Sequence, residues 1–178
     1  MERIAQFVRG IGILAAWIAI PSQILVAVSY IVGRQFFVLP ATKMQEAEWH
    51  FFVALVFLTF GMALLANRHV RIDIVSSRMS ERTRALIEII GFLVAVLPFC
   101  TILIVLGVQN TWEAYWLAER SPAAMGLPSR WIVKSALPMG ALLLLLAGLV
   151  VTGRNLEIMR RARPRSGDAT SNSPKAKE

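Results

Sequence analysis

The chain has 178 residues, of which 56% are hydrophobic and 17% are charged. Soluble domains typically carry about 25% charged residues, so this composition argues against a soluble protein. The net charge is +8, but the basic residues lie in short clusters between apolar stretches. That distribution is typical of a membrane protein and differs from the single basic face of a nucleic-acid-binding domain. The single cysteine excludes an internal disulfide and a multi-cysteine zinc site.

Four apolar stretches meet or approach the length of about 20 residues that a helix needs to cross a bilayer. They predict membrane spans over residues 10–32, 49–66, 86–108 and 132–152. The predicted fold is an all-α integral membrane protein, with the four transmembrane helices forming one domain over residues 1–153. The segment 154–178 is basic and rich in Ser and Pro, and we predict a disordered tail there.

The N-terminus also has features of a signal peptide, because Arg3 and Arg9 precede the first apolar stretch. That stretch exceeds 20 residues, whereas the apolar part of a signal peptide has about 7–15. We therefore expect the first helix to be retained.

The distribution of basic residues predicts the orientation of the spans. Fourteen Lys and Arg residues lie in the N-terminal segment, the loop between spans two and three, and the C-terminal tail, against five on the other side. Positive charge is retained in the cytoplasm. Both termini are therefore predicted to be cytoplasmic.

The spans contain few charged residues. Glu88 and Lys134 lie near span ends, where long side chains reach the interface. Transport pathways usually place ionisable groups in mid-membrane, and the centres of these spans have no Asp, Glu, Lys or Arg. This pattern favours a scaffold or accessory subunit, and we predict no enzyme activity.

A first polar motif precedes span two and comprises Glu46, Glu48, Trp49 and His50. On a helix, Glu46 and His50 share a face. Three interpretations stay open: an ordinary helix start with carboxylates near the positive end of the dipole, a contact with a partner's polar loop, and a metal site.

A second motif, residues 67–74, follows span two and includes His69, Arg71 and Asp73. It is interpreted as a basic cluster that binds lipid headgroups, as a structural or subunit contact, or as a catalytic site with His69 as a base oriented by Asp73. No nucleophile or metal-ligand set accompanies the pair.

A third motif spans residues 126–134 and begins with Gly126-Leu127-Pro128. Gly and Pro favour a turn, and Trp131 and Lys134 are expected to anchor the start of span four at the interface.

These motifs, in this order between four spans, resemble the small membrane subunit of tripartite ATP-independent periplasmic (TRAP) transporters. The resemblance covers residues 10–154. Its motifs are Glu46-Ala47-Glu48-Trp49-His50, His69-Val70-Arg71-Ile72-Asp73, Gly126 to Lys134, and Pro138-Met139-Gly140.

The resemblance implies a multi-pass protein of the bacterial inner membrane that works with two partners. One is a large membrane subunit that carries the substrate and sodium sites, and the other is a periplasmic substrate-binding protein. Such systems take up organic acids on the sodium gradient, and the small subunit extends the static scaffold beside the large one. Membrane lipids are further expected partners, nucleic acid is not, and no cofactor is expected. The three polar motifs are the expected contacts with subunits or the membrane interface.

Two alternatives stay open from the sequence. The first is a free-standing four-helix membrane adaptor with an unrelated partner. The second is a membrane enzyme that acts on lipid headgroups through His69 and Asp73.

Overall fold

The structure is a computed structural model that describes residues 1–36, 41–66, 80–123 and 126–161. Within these ranges the chain is helical and contains no strand, which confirms the predicted all-α fold class. The helices are α1 (Glu2–Phe36), α2 (Ala41–Leu65), α3 (Glu81–Gly91), α4 (Leu97–Trp116) and α5 (Trp131–Arg161), and a π-helical turn, Phe92–Val96, joins α3 to α4.

Among the residues that the structure describes, four helical segments are long and apolar enough to cross a membrane: α1, α2, the continuous α3–π–α4 segment and α5. We call each of these segments a rod. Most rods extend beyond the apolar stretches at both ends, and α2 extends beyond its stretch at the N-terminal end. Helix α2, for example, begins at Ala41, so the first polar motif is part of the helix rather than of a preceding loop. The third rod continues to Trp116, so its aromatic C-terminal end extends eight residues past the apolar stretch that ends at residue 108.

Helix α5 lies at the centre of the bundle, where it contacts α1, α2, α3 and α4. Half of its most apolar window is buried inside the protein, against 11% for the windows of the other three rods. Helix α1 packs on α2, and α2 packs on one side of α5. The third rod packs along α5 as well. The outward surfaces of the peripheral helices are therefore apolar faces available to lipid or to a partner.

Glycines bring α2 and α5 close together. A Cβ added to Gly61 of α2 would lie 2.6 Å from the Leu143 carbonyl oxygen of α5. Conversely, a Cβ added to Gly140 of α5 would lie 2.5 Å from the Phe57 carbonyl oxygen of α2. Association in lipid depends on such close packing, because apolar burial alone offers little advantage over contact with lipid tails.

The π-helical turn accommodates Pro98 near the start of α4. Proline has no N–H to donate to the carbonyl four residues earlier, so the regular pattern is broken before it. The Leu97 N–H instead donates to the Phe92 carbonyl, five residues back. The Phe92 ring is buried against Gly148 of α5, where an added Cβ would lie 2.1 Å from ring atom Cε2.

The main buried cluster lies where α1, α2 and α5 meet. Its side chains are small or branched, which allows the three helices to approach one another. The cluster consists of Ala5, Val8, Leu65, Leu143, Ala147 and Val150.

Candidate functional site: a loop clasp at one end of the bundle

The end of α4 turns the chain sharply towards α5. The Glu119 N–H donates to the Ala114 carbonyl at 2.9 Å, and the Ala118 N–H donates to the Tyr115 carbonyl at 3.1 Å. This pair of bonds is a Schellman motif, with Ala118 in the left-handed position at φ 45°. The motif places the Glu119 side chain beside the start of α5.

Glu119 forms ion pairs with two basic residues at the start of α5. Its Oε2 accepts from Lys134 Nζ at 2.5 Å, and its Oε1 lies 3.5 Å from Arg130 Nη1. Lys134 Nζ also donates to Asn110 Oδ1 of α4 at 2.9 Å. All three ion-pair side chains are between 24% and 29% exposed, so they are partly shielded from solvent. Lys134 therefore ties α4, the 117–130 segment and α5 together.

Glu46, in the second turn of α2, binds the same segment from the opposite side. Its Oε2 accepts from the Leu127 backbone N–H at 2.5 Å, and its Oε1 accepts from the Ser121 hydroxyl. Gly126 leaves room for this contact, because an added Cβ would lie 2.2 Å from Ser121 Cβ and 2.9 Å from Glu46 Oε1. We call Glu46, Glu119, Ser121, Leu127, Arg130 and Lys134 the loop clasp.

The other residues of the first motif lie beside Glu46 on α2. His50 Nδ1 donates to the Glu46 backbone carbonyl, and its ring stacks obliquely on Trp49 with a centroid distance of 4.2 Å. Glu48 is half-buried. Trp49 lines a small crevice, about 260 Å³ in volume, together with Lys134. Among the residues that the structure describes, no group of three His, Cys, Asp or Glu side chains could hold a metal ion.

Trp131 is the first residue of α5, and its ring contacts the aromatic end of α4 rather than the loop clasp. Its ring meets Tyr115 of α4 edge-on, with a centroid distance of 5.6 Å. Trp112 and Trp116 pack edge-on at 5.8 Å along α4. The aromatic side chains form the belt that is typical of a membrane interface, and Trp131 is not a member of the loop clasp.

His69, Arg71 and Asp73 lie outside the described residues, so the second motif stays a prediction. The sequence motifs include Glu46 and Lys134, but each belongs to the start of a different helix. Glu119 and Ser121 lie outside the three motifs, and no motif assigns a role to the Leu127 N–H. The sequence indicates these residues only indirectly. A short connection between α4 and α5 must pass near the start of α2, because both lie at the same end of the bundle.

The clasp carboxylates are engaged by protein donors on both oxygens. These contacts hold the described part of the α4–α5 connection against α2 and α5. The fold and this site define a four-helix membrane subunit with a braced loop at one end.

The family comparison identifies that subunit. The model of the DctQ component of tripartite ATP-independent periplasmic transporters matches residues 23–157. The chain therefore belongs to the DctQ family, as the resemblance predicted, and is a small membrane subunit of a TRAP transporter in the bacterial inner membrane. The family is a transporter component and not an enzyme family. No curated protein and no solved structure matches the chain.

Proposed function

We propose that this subunit is the static scaffold partner of a large substrate-translocating subunit in sodium-driven, binding-protein-dependent uptake of organic acids. The observation that carries the proposal is the placement of charge in the rods. Within the predicted spans, the charged residues are Glu88 and Lys134, and each is held at a rod end by a partner side chain, Asn155 for Glu88 and Glu119 for Lys134. A substrate or sodium path would require polar groups deeper in the membrane.

The outward faces of the rods support a packing role. Large apolar side chains are exposed along α1 and along the third rod, with Trp17 of α1 at 76% and Val94 of the π-helical turn at 71%. In the assembled transporter these faces would be covered by lipid and by the large subunit. The glycine-mediated contact between α2 and α5 keeps the small subunit rigid while a neighbouring domain moves.

The loop clasp supports a second part of the proposal. The distribution of Lys and Arg favours cytoplasmic termini and a periplasmic clasp. There the loop clasp, together with Glu48, Trp49 and His50, would present a fixed surface to the binding protein. Cysteines introduced at Ser80 and Ser121 test the orientation: a membrane-impermeant maleimide applied to intact spheroplasts should label the Ser121→Cys protein and not the Ser80→Cys protein.

The second motif is proposed to contact the large subunit or anionic lipid on the cytoplasmic side. Arg71→Ala or Asp73→Ala should then lower the yield of the assembled complex more than it changes the apparent affinity for substrate. Equal complex yield with altered substrate affinity would count against this assignment.

Uptake in proteoliposomes tests the proposed function. The large subunit is reconstituted with or without this chain, and the binding protein and labelled mono- or dicarboxylates are added outside. Uptake should require this chain and an inward sodium gradient. Uptake at the same rate without this chain would contradict the scaffold role, and uptake without sodium would contradict the proposed coupling.

A further inference from the structure

A polar pocket lies between α3 and α5, at the opposite end of the bundle from the loop clasp. Its volume is about 440 Å³, and its lining includes Glu81, Arg84, Glu88, Arg154 and Asn155 beside apolar side chains. We name it the α3–α5 pocket. We propose that it binds the headgroup of a zwitterionic phospholipid of the phosphoethanolamine type. This proposal does not depend on the transport function.

The depth of the pocket matches the headgroup layer. Predicted span three begins at residue 86 and predicted span four ends at residue 152. Most of the polar lining residues lie just beyond these two limits, at Glu81, Arg84, Arg154 and Asn155, and Glu88 lies two residues inside span three. The apolar lining residues Ala85 and Val151 lie within one residue of the limits. A pocket at this depth can receive a polar headgroup while the acyl chains remain along the rods.

Glu88 and Asn155 form the fixed side of the pocket. Asn155 is 8% exposed, and its Nδ2 donates to Glu88 Oε2 at 2.7 Å. Glu88 Oε1 lies 3.7 Å from Arg84 Nε. A buried polar side chain must be hydrogen-bonded to be tolerated. The hydrogen bond from Asn155 therefore holds Glu88 in place, and Glu88 in turn positions the Arg84 guanidinium.

Two arginines provide donors for a phosphate. Arg154 Nη2 donates to Glu2 Oε1 at 2.8 Å, and Arg84 contacts Glu88 through Nε. A guanidinium has five N–H donors in a planar fork, so each arginine retains donors that can face a phosphate in the pocket. Arginine is favoured for this purpose because its fork matches phosphate oxygens.

The acidic side chains favour a zwitterion over an anion. Glu81 and Glu88 line the same pocket as the two arginines, so a headgroup with only negative charge would meet repulsion as well as attraction. A phosphoethanolamine group carries a phosphate for the arginines and an ammonium for the carboxylates. The mixed lining therefore predicts selection between lipids of similar shape but different headgroup charge.

The test measures lipid binding to the delipidated full chain by native mass spectrometry. Dioleoyl phosphatidylethanolamine is compared with dioleoyl phosphatidylglycerol. The variant R84Q/R154Q is compared with R82Q/R160Q, in which the same number of charges is removed from exposed positions of α3 and α5 outside the pocket. We expect the unaltered chain to bind phosphatidylethanolamine more tightly than phosphatidylglycerol. The affinity of R84Q/R154Q for phosphatidylethanolamine should be lower by roughly tenfold, since each lost charge-assisted bond changes affinity several-fold. The R82Q/R160Q protein should stay within about twofold of the unaltered chain, because surface charges outside a site contribute little.

Three results would overturn the proposal. These are equal losses in the two double variants, equal or tighter binding of phosphatidylglycerol, and complete displacement of the lipid by inorganic phosphate, which would indicate a site for the free anion. If R84Q/R154Q does not fold, R84K/R154K decides: it keeps the charge but loses the planar fork. A several-fold loss in that variant supports the headgroup site, and unchanged affinity contradicts it.

Discussion

Gly140→Ala tests the packing of the central helix. The added Cβ would lie 2.5 Å from the Phe57 carbonyl oxygen, whereas ordinary contact begins at 3.4 Å. Because the obstructing atom belongs to the backbone, no side-chain rotation relieves the clash. Helices α2 and α5 must separate by roughly the difference between those two distances.

The structure gives the size of the expected effect. A gap of about 0.5–1 Å forfeits a quarter to a half of the dispersion energy across the contact, and overpacking of this kind typically costs about 1–3 kcal/mol. We therefore expect Gly140→Ala to lower the free energy of unfolding by about 2 kcal/mol. The loop clasp should loosen as well, because Glu46 lies on α2 and Lys134 on α5.

Gly10→Ala is the matched control, because an added Cβ at Gly10 has nothing within 4 Å. Alanine favours the helix over glycine, so this variant should be as stable as the parent chain or slightly more stable. Both are compared by reversible unfolding in mixed micelles, with helical circular dichroism as the signal. Equal stability of Gly140→Ala and Gly10→Ala would refute the close α2–α5 contact.

The remaining predictions concern the loop clasp and the Schellman motif. Glu119→Gln should lower the free energy of unfolding by about 1–2 kcal/mol, because it weakens charge-assisted bonds to partly buried partners. In the same unfolding assay, Lys134→Met should cost less stability in the Glu119→Gln protein than in the unaltered chain. Gly126→Ala should detach the loop from Glu46 and speed its cleavage by added protease, and an unchanged cleavage rate would contradict the tight fit. Ala118→Gly should stabilise the protein by about 1 kcal/mol, because glycine adopts the left-handed conformation without the steric cost, and a lower melting temperature would contradict that assignment.

The class of fold could be predicted from hydropathy, because each membrane span must satisfy its own backbone hydrogen bonds and must therefore be helical. The order of the helices around α5 could not be predicted from hydropathy. That arrangement depends on which small residues face which neighbours, and glycine and alanine are common throughout membrane helices. Gly140 is small enough to allow a close contact, but its partner, the Phe57 backbone, is far away in the sequence.

The functional site was predicted in part. Glu46 was expected to start a helix, to contact a partner or to bind metal with His50, and local spacing favoured a pair with His50. In the structure His50 binds the backbone carbonyl of Glu46, while the carboxylate binds Ser121 and the Leu127 N–H. These contacts depend on how the α4–α5 connection folds back over α2, which no short sequence pattern encodes.

Purification from the native membrane tests the central claim most directly. The chain carries an affinity tag, is extracted in mild detergent, and the co-purifying proteins are identified and quantified. A scaffold subunit should bring down one large polytopic membrane protein in about equal amount, and the pair should remain together through size-exclusion chromatography. Recovery of the chain folded and alone would contradict the scaffold role and favour the free-standing adaptor.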